Sequence, residues 1–355
     1  MTVLDDDLKE IFCRVSSFWR LKNRNILITG SAGFLGYYYS NFLLRYSREL
    51  ELASITLADI KNPRSRIEVE YDASIVNFLE MDMSCDKTDK SNKKKYDVII
   101  NLASFASPVA YRADPIATLR GSVLSVWNLL EDYTEDSEQN GSFQIFSSSE
   151  IYGDPPANEI PTSEDYRGNV SCLGPRACYD ESKRFIETLG SVYAKQNGAN
   201  ISVIRPFNNF GPGMSLNDGR LPADVMRSMI NKEKLSLFSD GTPTRSFCYV
   251  VDAIVGYLCA LNKTGFSVYN IGNDTEELSV RAFVERSAVV YKSFTSRSFD
   301  FEFTKSEEVD YLTDNPNRRF PDLSKARNEL LYNPQISLEE GMKRWLTFEM
   351  EKQCA

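Results

Sequence analysis

Tyr179 and Lys183 are spaced i, i+4 in the segment Tyr179-Asp-Glu-Ser-Lys183, which sets a phenol and an ammonium on one helix face. A free phenol ionises near ~10 and is a poor base at neutral pH. A neighbouring cation favours the phenolate and makes the pair a candidate base. A hydroxyl at a nearby strand end would complete the set, and Ser147-Ser148-Ser149-Glu150 follows the apolar run Phe143–Phe146. A second constellation lies upstream. Gly30, Gly33 and Gly36 form a GxxGxxG turn between the β-rich run Asn25–Thr29 and a helical stretch that continues to about Arg48. Gly30 permits the tight turn, Gly33 the approach of a pyrophosphate, and Gly36 close helix–sheet packing. The helix N-terminus adds orphan N–H groups and a partial positive charge for phosphates. Asp59 closes the next apolar run, 23 residues beyond Gly36. A carboxylate there accepts hydrogen bonds from ribose hydroxyls and repels a 2′-phosphate, so NAD is favoured over NADP.

Composition removes most other chemistries. The 355 residues include no histidine, which excludes Ser-His-Asp and Cys-His catalysis and any histidine-bearing metal site. Acid–base work must fall to carboxylates, lysine, tyrosine or cysteine. Lysine and arginine total 41 against 50 acidic residues, a net charge of −9, so no nucleic-acid or anionic-membrane partner is expected. The seven cysteines are odd in number and contain no CxxC pair, which suits a reduced, cytoplasmic thiol set without a metal site. No apolar run approaches the about 20 residues that span a bilayer, and the acidic start MTVLDDDLKE is unlike a secretory signal.

The elements that must carry these groups alternate. Strand-like runs at Asn25–Thr29, Ile55–Ala58, Tyr96–Leu102, Phe143–Ser147 and Ile201–Arg205 are separated by helical patterns, including Asp114–Glu131 and Tyr179 to about Gln196. This predicts an α/β fold with a Rossmann-type, doubly wound parallel sheet. Residues 1–23 form an N-terminal segment whose amphipathic helix is expected over 5–21, with Leu8, Ile11, Phe12, Val15 and Trp19 on its apolar face. Residues 24–205 are the expected dinucleotide-binding domain. Residues 206–355 form a smaller, partly interleaved substrate-binding lobe, with segments near 247–272 returning to the first domain. Asp86–Lys95 reads as a solvated loop, and Leu338–Met350 as a final helix.

With these motifs in place, the chain resembles the extended, nucleotide-sugar-modifying branch of the short-chain dehydrogenase/reductases over roughly residues 24–345. Within that branch it is most similar to the UDP-glucuronate decarboxylases. The likeness rests on ASPVAYRADP (Ala106–Pro115), SSSEIYGDP (Ser147–Pro155), GPRACYDESKR (Gly174–Arg184), RPFNNFGPGM (Arg205–Met214), NDGR (Asn217–Arg220), DGTPTRSFCYVVD (Asp240–Asp252) and DNPNRRFPD (Asp314–Asp322). It implies a 4-keto mechanism. Tyr179 takes the sugar 4-hydroxyl proton as C4 is oxidised, Lys183 holds the nicotinamide ribose, and Ser148 hydrogen-bonds the 4-oxygen. Ser149 and Glu150 face the substrate, and Arg319 is tied to decarboxylation. The implied NAD contacts are Gly30, Gly33, Phe34, Leu35, Gly36, Asp59, Asp82, Met83, Leu102, Ala103, Ser104, Tyr179, Lys183 and Pro206. The implied substrate contacts are Tyr111, Arg176, Asn208, Arg220, Phe238 and Arg245. A UDP-linked nucleotide sugar and a homodimer are the implied partners. The chain departs from the family pattern at Ala110, Ser122, Ser125, Gly213 and Phe238, all close to the expected substrate. Epimerase and 4,6-dehydratase outcomes share the same first step and remain alternatives, as does a catalytically silent NAD-binding protein.

Overall fold

The computed structural model describes residues 2–84, 96–136, 141–304 and 315–354. Asp86–Lys95, read above as a solvated loop, and Asp314 lie outside the described residues. Seven strands form the central sheet: β1 (Asn25–Thr29), β2 (Ser54–Asp59), β3 (Val76–Glu80), β4 (Val98–Asn101), β5 (Ser142–Phe146), β6 (Ile201–Pro206) and β7 (Phe266–Ile271). Their order is β7-β6-β5-β4-β1-β2-β3. Every pairing is parallel, with Thr29 opposite Ala58 on one side and Asn101 on the other. The chain order therefore reverses at β1, which opens a crevice at the carboxyl ends of β1 and β4.

Side-chain alternation builds two cores. On β1, Ile26 and Ile28 face one layer and Leu27 the other; on β5, Phe143 and Ile145 face opposite to Phe146. The first layer is covered by α1 (Val3–Arg14) and α2 (Phe34–Arg45). The second is covered by α4 (Pro115–Asp136), which follows the short α3 (Pro108–Ala113), and by α5 (Ala177–Asn197). α5 ends where Gly198 takes up a left-handed conformation (φ +67°) that glycine adopts without steric cost. Beyond β6 come α6 (Leu221–Asn231), the fully buried α7 (Val250–Leu261), α8 (Val280–Thr295), α9 (Ser324–Leu330) and α10 (Leu338–Cys354). A three-stranded patch in this region sets Thr244–Arg245 between Leu278–Ser279 and Arg318–Arg319.

The N-terminal helix differs from its expected span. It covers Val3–Arg14 rather than 5–21, starting at a Thr2/Asp5 capping box and ending where Val15 turns extended (ψ 120°). Trp19 lies beyond it, 50% exposed, with the Arg20 guanidinium 4.4 Å over its ring. Asp7 is buried instead, accepting hydrogen bonds from the Tyr38 and Tyr249 hydroxyls, both at 2.7 Å, and from Arg344 at 3.0 Å. β3 is the strand that the sequence pattern missed. It is an edge strand whose five side chains are all half-buried or exposed, so its apolar signal is weak.

Candidate active site

The crevice at β1 and β4 is built from backbone. Gly30 sits at φ +66°, and a Cβ there would lie 2.7 Å from the Ala103 nitrogen. A Cβ at Gly36 would collide with the Gly30 carbonyl, so the first turn of α2 packs directly on the glycine turn. At the end of β2, Asp59 is fixed by its neighbours: Oδ2 accepts from Ala32 N–H at 2.9 Å and Oδ1 from Lys61 N–H at 3.0 Å. Gly30, Gly33, Asp59, Asp82, Met83, Leu102, Ala103 and Ser104 line one cavity of about 440 Å³. Phe34 and Leu35 instead pack against the core, and Pro206 ends β6 without lining this cavity. Lys61, two residues beyond Asp59, also lines it, as do Ile60 and Arg120, which carry no motif that would have revealed them. A backbone cradle at a helix N-terminus, with a carboxylate in the same cavity wall, fits a dinucleotide such as NAD.

Next to this crevice the end of β5 meets the first turn of α5. Tyr179 is buried, and its phenol is hydrogen-bonded to the Ser148 hydroxyl. Tyr111 stacks on it, ring centroids 5.1 Å apart and 17° from parallel. Lys183 lies one turn along α5, with Nζ 5.5 Å from the Tyr179 ring centre and donating to the Phe146 carbonyl at 2.8 Å. In the protein by itself, burial sets the direction for both groups. It pushes the Tyr179 phenol up, against the Ser148 hydrogen bond, and pulls the Lys183 ammonium down to about 7. The expected lowering of the phenol by Lys183 is therefore outweighed by desolvation. Arg220, bound through Nη2 to Asp218 at 2.9 Å, adds a positive charge that favours the phenolate.

The third feature is a cluster of buried guanidinium groups around one carboxylate. Arg319 grips Glu150 with both Nη atoms, the Nη2 contact being 2.6 Å, and Arg176 Nη2 donates to the same carboxylate. Burial pushes the Glu150 carboxyl up, but Arg319 and Arg176 together outweigh it and hold the group at about 2. Arg245 donates to the Thr244 carbonyl at 2.8 Å and the Pro316 carbonyl at 2.7 Å; burial, then the Arg319 charge, pull it down to about 9. Asp180 faces Arg176 at 3.7 Å, and burial, then the Glu150 charge, raise its carboxyl to about 7. Sequence reasoning singled out Arg176 as an anion contact and missed Asp180, although the i, i+4 spacing of the two was readable.

The other candidates fall at varying distances from this cluster. Ser149 is buried in the 3₁₀ turn Ser149–Tyr152 that carries Glu150. Asn208, at φ +36°, donates through Nδ2 to the Ser246 carbonyl at 2.9 Å, beside Arg245 in the chain. Phe238 closes a short strand and is 42% exposed.

Comparison with known proteins agrees with this geometry. The family model described as "NAD dependent epimerase/dehydratase family" matches residues 26–272. The chain is 33% identical over 334 residues to UDP-glucuronic acid decarboxylase 1 of Xenopus tropicalis, covering 93% of this chain and 74% of that one. It is 31% identical over 342 residues to UDP-glucuronic acid decarboxylase 6 of Arabidopsis thaliana, covering 93% and 89%. Among solved structures it is similar in fold to a dTDP-glucose 4,6-dehydratase of Streptomyces venezuelae with NAD bound, at a TM-score of 0.78 and 20% identity, covering 93% and 98%.

Proposed function

Because this chain belongs to the NAD dependent epimerase/dehydratase family, we propose that it is an NAD⁺-retaining enzyme that converts UDP-glucuronate into UDP-xylose and CO₂. The names of its relatives support that reading, and one observation in the structure carries it. The buried Arg176 and Arg319 grip Glu150, two residues from Ser148, and the half-buried Arg245 adds its charge to the same carboxylate. Three guanidinium groups against Glu150 leave positive charge for further anionic groups, as a sugar acid on a diphosphate provides.

NAD⁺, when bound, supplies the electron acceptor for oxidation at C4. Tyr179 accepts the 4-hydroxyl proton, and Ser148 holds the 4-oxygen in line with it. Tyr179 is then a phenol, so the 4-oxygen has two hydrogen-bond donors. The carboxylate is β to the new ketone. As the bond to CO₂ breaks, its electron pair moves onto the 4-oxygen as an enolate, where those two donors stabilise it. Arg319 orients the carboxylate before it leaves. Glu150, gripped by Arg319 and Arg176, is a weak base, which disfavours the dehydratase alternative in which it removes the C5 proton.

The test is mass spectrometry of products from UDP-glucuronate. Loss of CO₂ is expected; an unchanged mass or loss of water would move the assignment to an epimerase or a dehydratase. The same site should prefer NAD to NADP, because the Asp59 carboxylate is fixed at the cavity wall. A titration with both cofactors should give at least about a tenfold difference, the equivalent of ~1.4 kcal/mol, and Asp59→Ser should reduce it.

A homodimer is part of the proposal. Ile116, Leu119, Leu124 and Trp127 on α4 and Phe185 and Val192 on α5 are exposed, and Trp127 stacks on Phe185 at 6.5 Å. Two such helices from each of two copies form a four-helix interface that covers these side chains. Sedimentation should show a dimer at micromolar concentration, shifted toward monomer by Trp127→Glu. Among the described residues Cys13, Cys172, Cys178, Cys248 and Cys259 are free thiols, and a reduced, cytoplasmic setting is part of the proposal. Among the described residues no helix is long and apolar enough to cross a membrane.

A further inference from the structure

Glu150 and Arg319 meet although they lie 169 residues apart in the chain, on a one-turn helix and a two-residue strand. Elements so short do not hold their own orientation, so the pairing must be set by what anchors each of them. Both anchors run to one side chain. Asn270, the penultimate residue of β7, is fully buried. Its Oδ1 accepts from the Tyr152 hydroxyl at 2.7 Å, and Tyr152 closes the turn that carries Glu150. Its Nδ2 donates to the Thr162 carbonyl at 3.0 Å and the Asp322 carbonyl at 3.3 Å. Thr162 is in turn bound on both sides to the segment after Arg319, accepting from Asp322 N–H and donating to the Phe320 carbonyl, each at 2.9 Å.

The same hub is tied to the sheet. The Tyr152 hydroxyl also accepts from Arg205 Nη1 at 2.7 Å. Arg205 is forked onto Glu187 at 2.9 and 2.7 Å, and Glu187 accepts from the hydroxyl of Ser147, next to Ser148. Every amide atom of Asn270 is used, in a place where an unmade hydrogen bond is expensive. None of these residues is joined to Tyr179 or Lys183 by a described hydrogen bond; Glu187 shares α5 with them, one turn beyond Lys183, and Tyr179 keeps its own stack on Tyr111.

We propose that Asn270, acting through Tyr152 and Thr162, is a positioning residue that sets the Glu150–Arg319 pairing and thereby controls the decarboxylation step without controlling oxidation at C4. This rests on the decarboxylase reading above. It follows that Arg319 is presented to a substrate carboxylate jointly by its strand pairing with Arg245 and by the edge of the central sheet.

Tyr152→Phe removes one hydroxyl and keeps the ring's packing against Phe207 and Tyr166. Asn270→Leu removes both arms of the hub at similar volume. With UDP-glucuronate, rapid-mixing absorbance in the reduced-nicotinamide band reports oxidation at C4, and trapped CO₂ reports decarboxylation. In Tyr152→Phe, oxidation and KM should stay within about twofold of the wild type. CO₂ release should fall about ten- to a hundredfold, the scale of a ~1 Å misplacement, and a keto acid should enter the products. Equal loss of both steps, or loss of neither, overturns the proposal. Asn270→Leu should show the same split more strongly; if it does not fold, Tyr152→Phe decides. If the wild type releases no CO₂ from UDP-glucuronate, the decarboxylase reading falls and crystal structures decide the positioning claim. A Glu150–Arg319 fork displaced in Tyr152→Phe upholds it, and an unmoved fork overturns it.

Discussion

Tyr179→Phe should lower turnover by ~10²–10⁴-fold, the usual contribution of a positioned acid–base group, and leave NAD affinity nearly unchanged. The substitution deletes one oxygen. The ring keeps its stack on Tyr111 at 5.1 Å, and the glycine turn and Asp59 lie on other elements. What disappears is the proton acceptor for the sugar hydroxyl and, after oxidation, one of two donors to the 4-oxygen. Retention of more than about a tenth of the activity would remove Tyr179 from the base role, because no effect of that class is so small. Cofactor titration by fluorescence and steady-state turnover check the two halves of the statement.

Arg319→Ala should suppress CO₂ release by about a hundredfold or more while leaving NAD binding intact, in line with the loss of a buried charged group that orients the reacting centre. Two consequences distinguish this from general damage. The enzyme should stall at the keto acid or fail to form it, which product analysis with UDP-glucuronate resolves. Glu150 should also lose its strongest countercharge. Burial then faces only Arg176 and the charge of Arg245, so its carboxyl moves up from about 2. Removing one partner of a buried ion pair costs ~3–5 kcal/mol, and the remaining Arg176 contact lessens that here. A variant that decarboxylates at the wild-type rate would demote Arg319 to a structural residue.

Local patterns decided a good deal by themselves. The strand–glycine turn–helix sequence at Asn25–Arg45 and the carboxylate ending β2 follow from periodicity and from glycine's conformational freedom, which neighbours in the chain suffice to express. So does the spacing that stacks Lys183 one turn beyond Tyr179 on α5. The edge strand β3 escaped because a half-exposed strand carries little hydrophobic signal, and the end of α1 was overrun because Val15 and Trp19 continue the apolar spacing past Arg14.

Tertiary structure alone decided the electrostatics. Sequence placed Glu150 and Arg319 near a substrate by resemblance, but not the fork between them, nor Asp180 facing the same Arg176. From sequence, Lys183 together with the positive nicotinamide ring favours the phenolate; tertiary structure adds burial, which in the protein by itself lifts the phenol and lowers the ammonium to about 7. The reason is physical. Helix and strand periods depend on a few adjacent residues, whereas the energy of a charge depends on every dipole and apolar atom around it, and those atoms are brought there by parts of the chain more than a hundred residues apart.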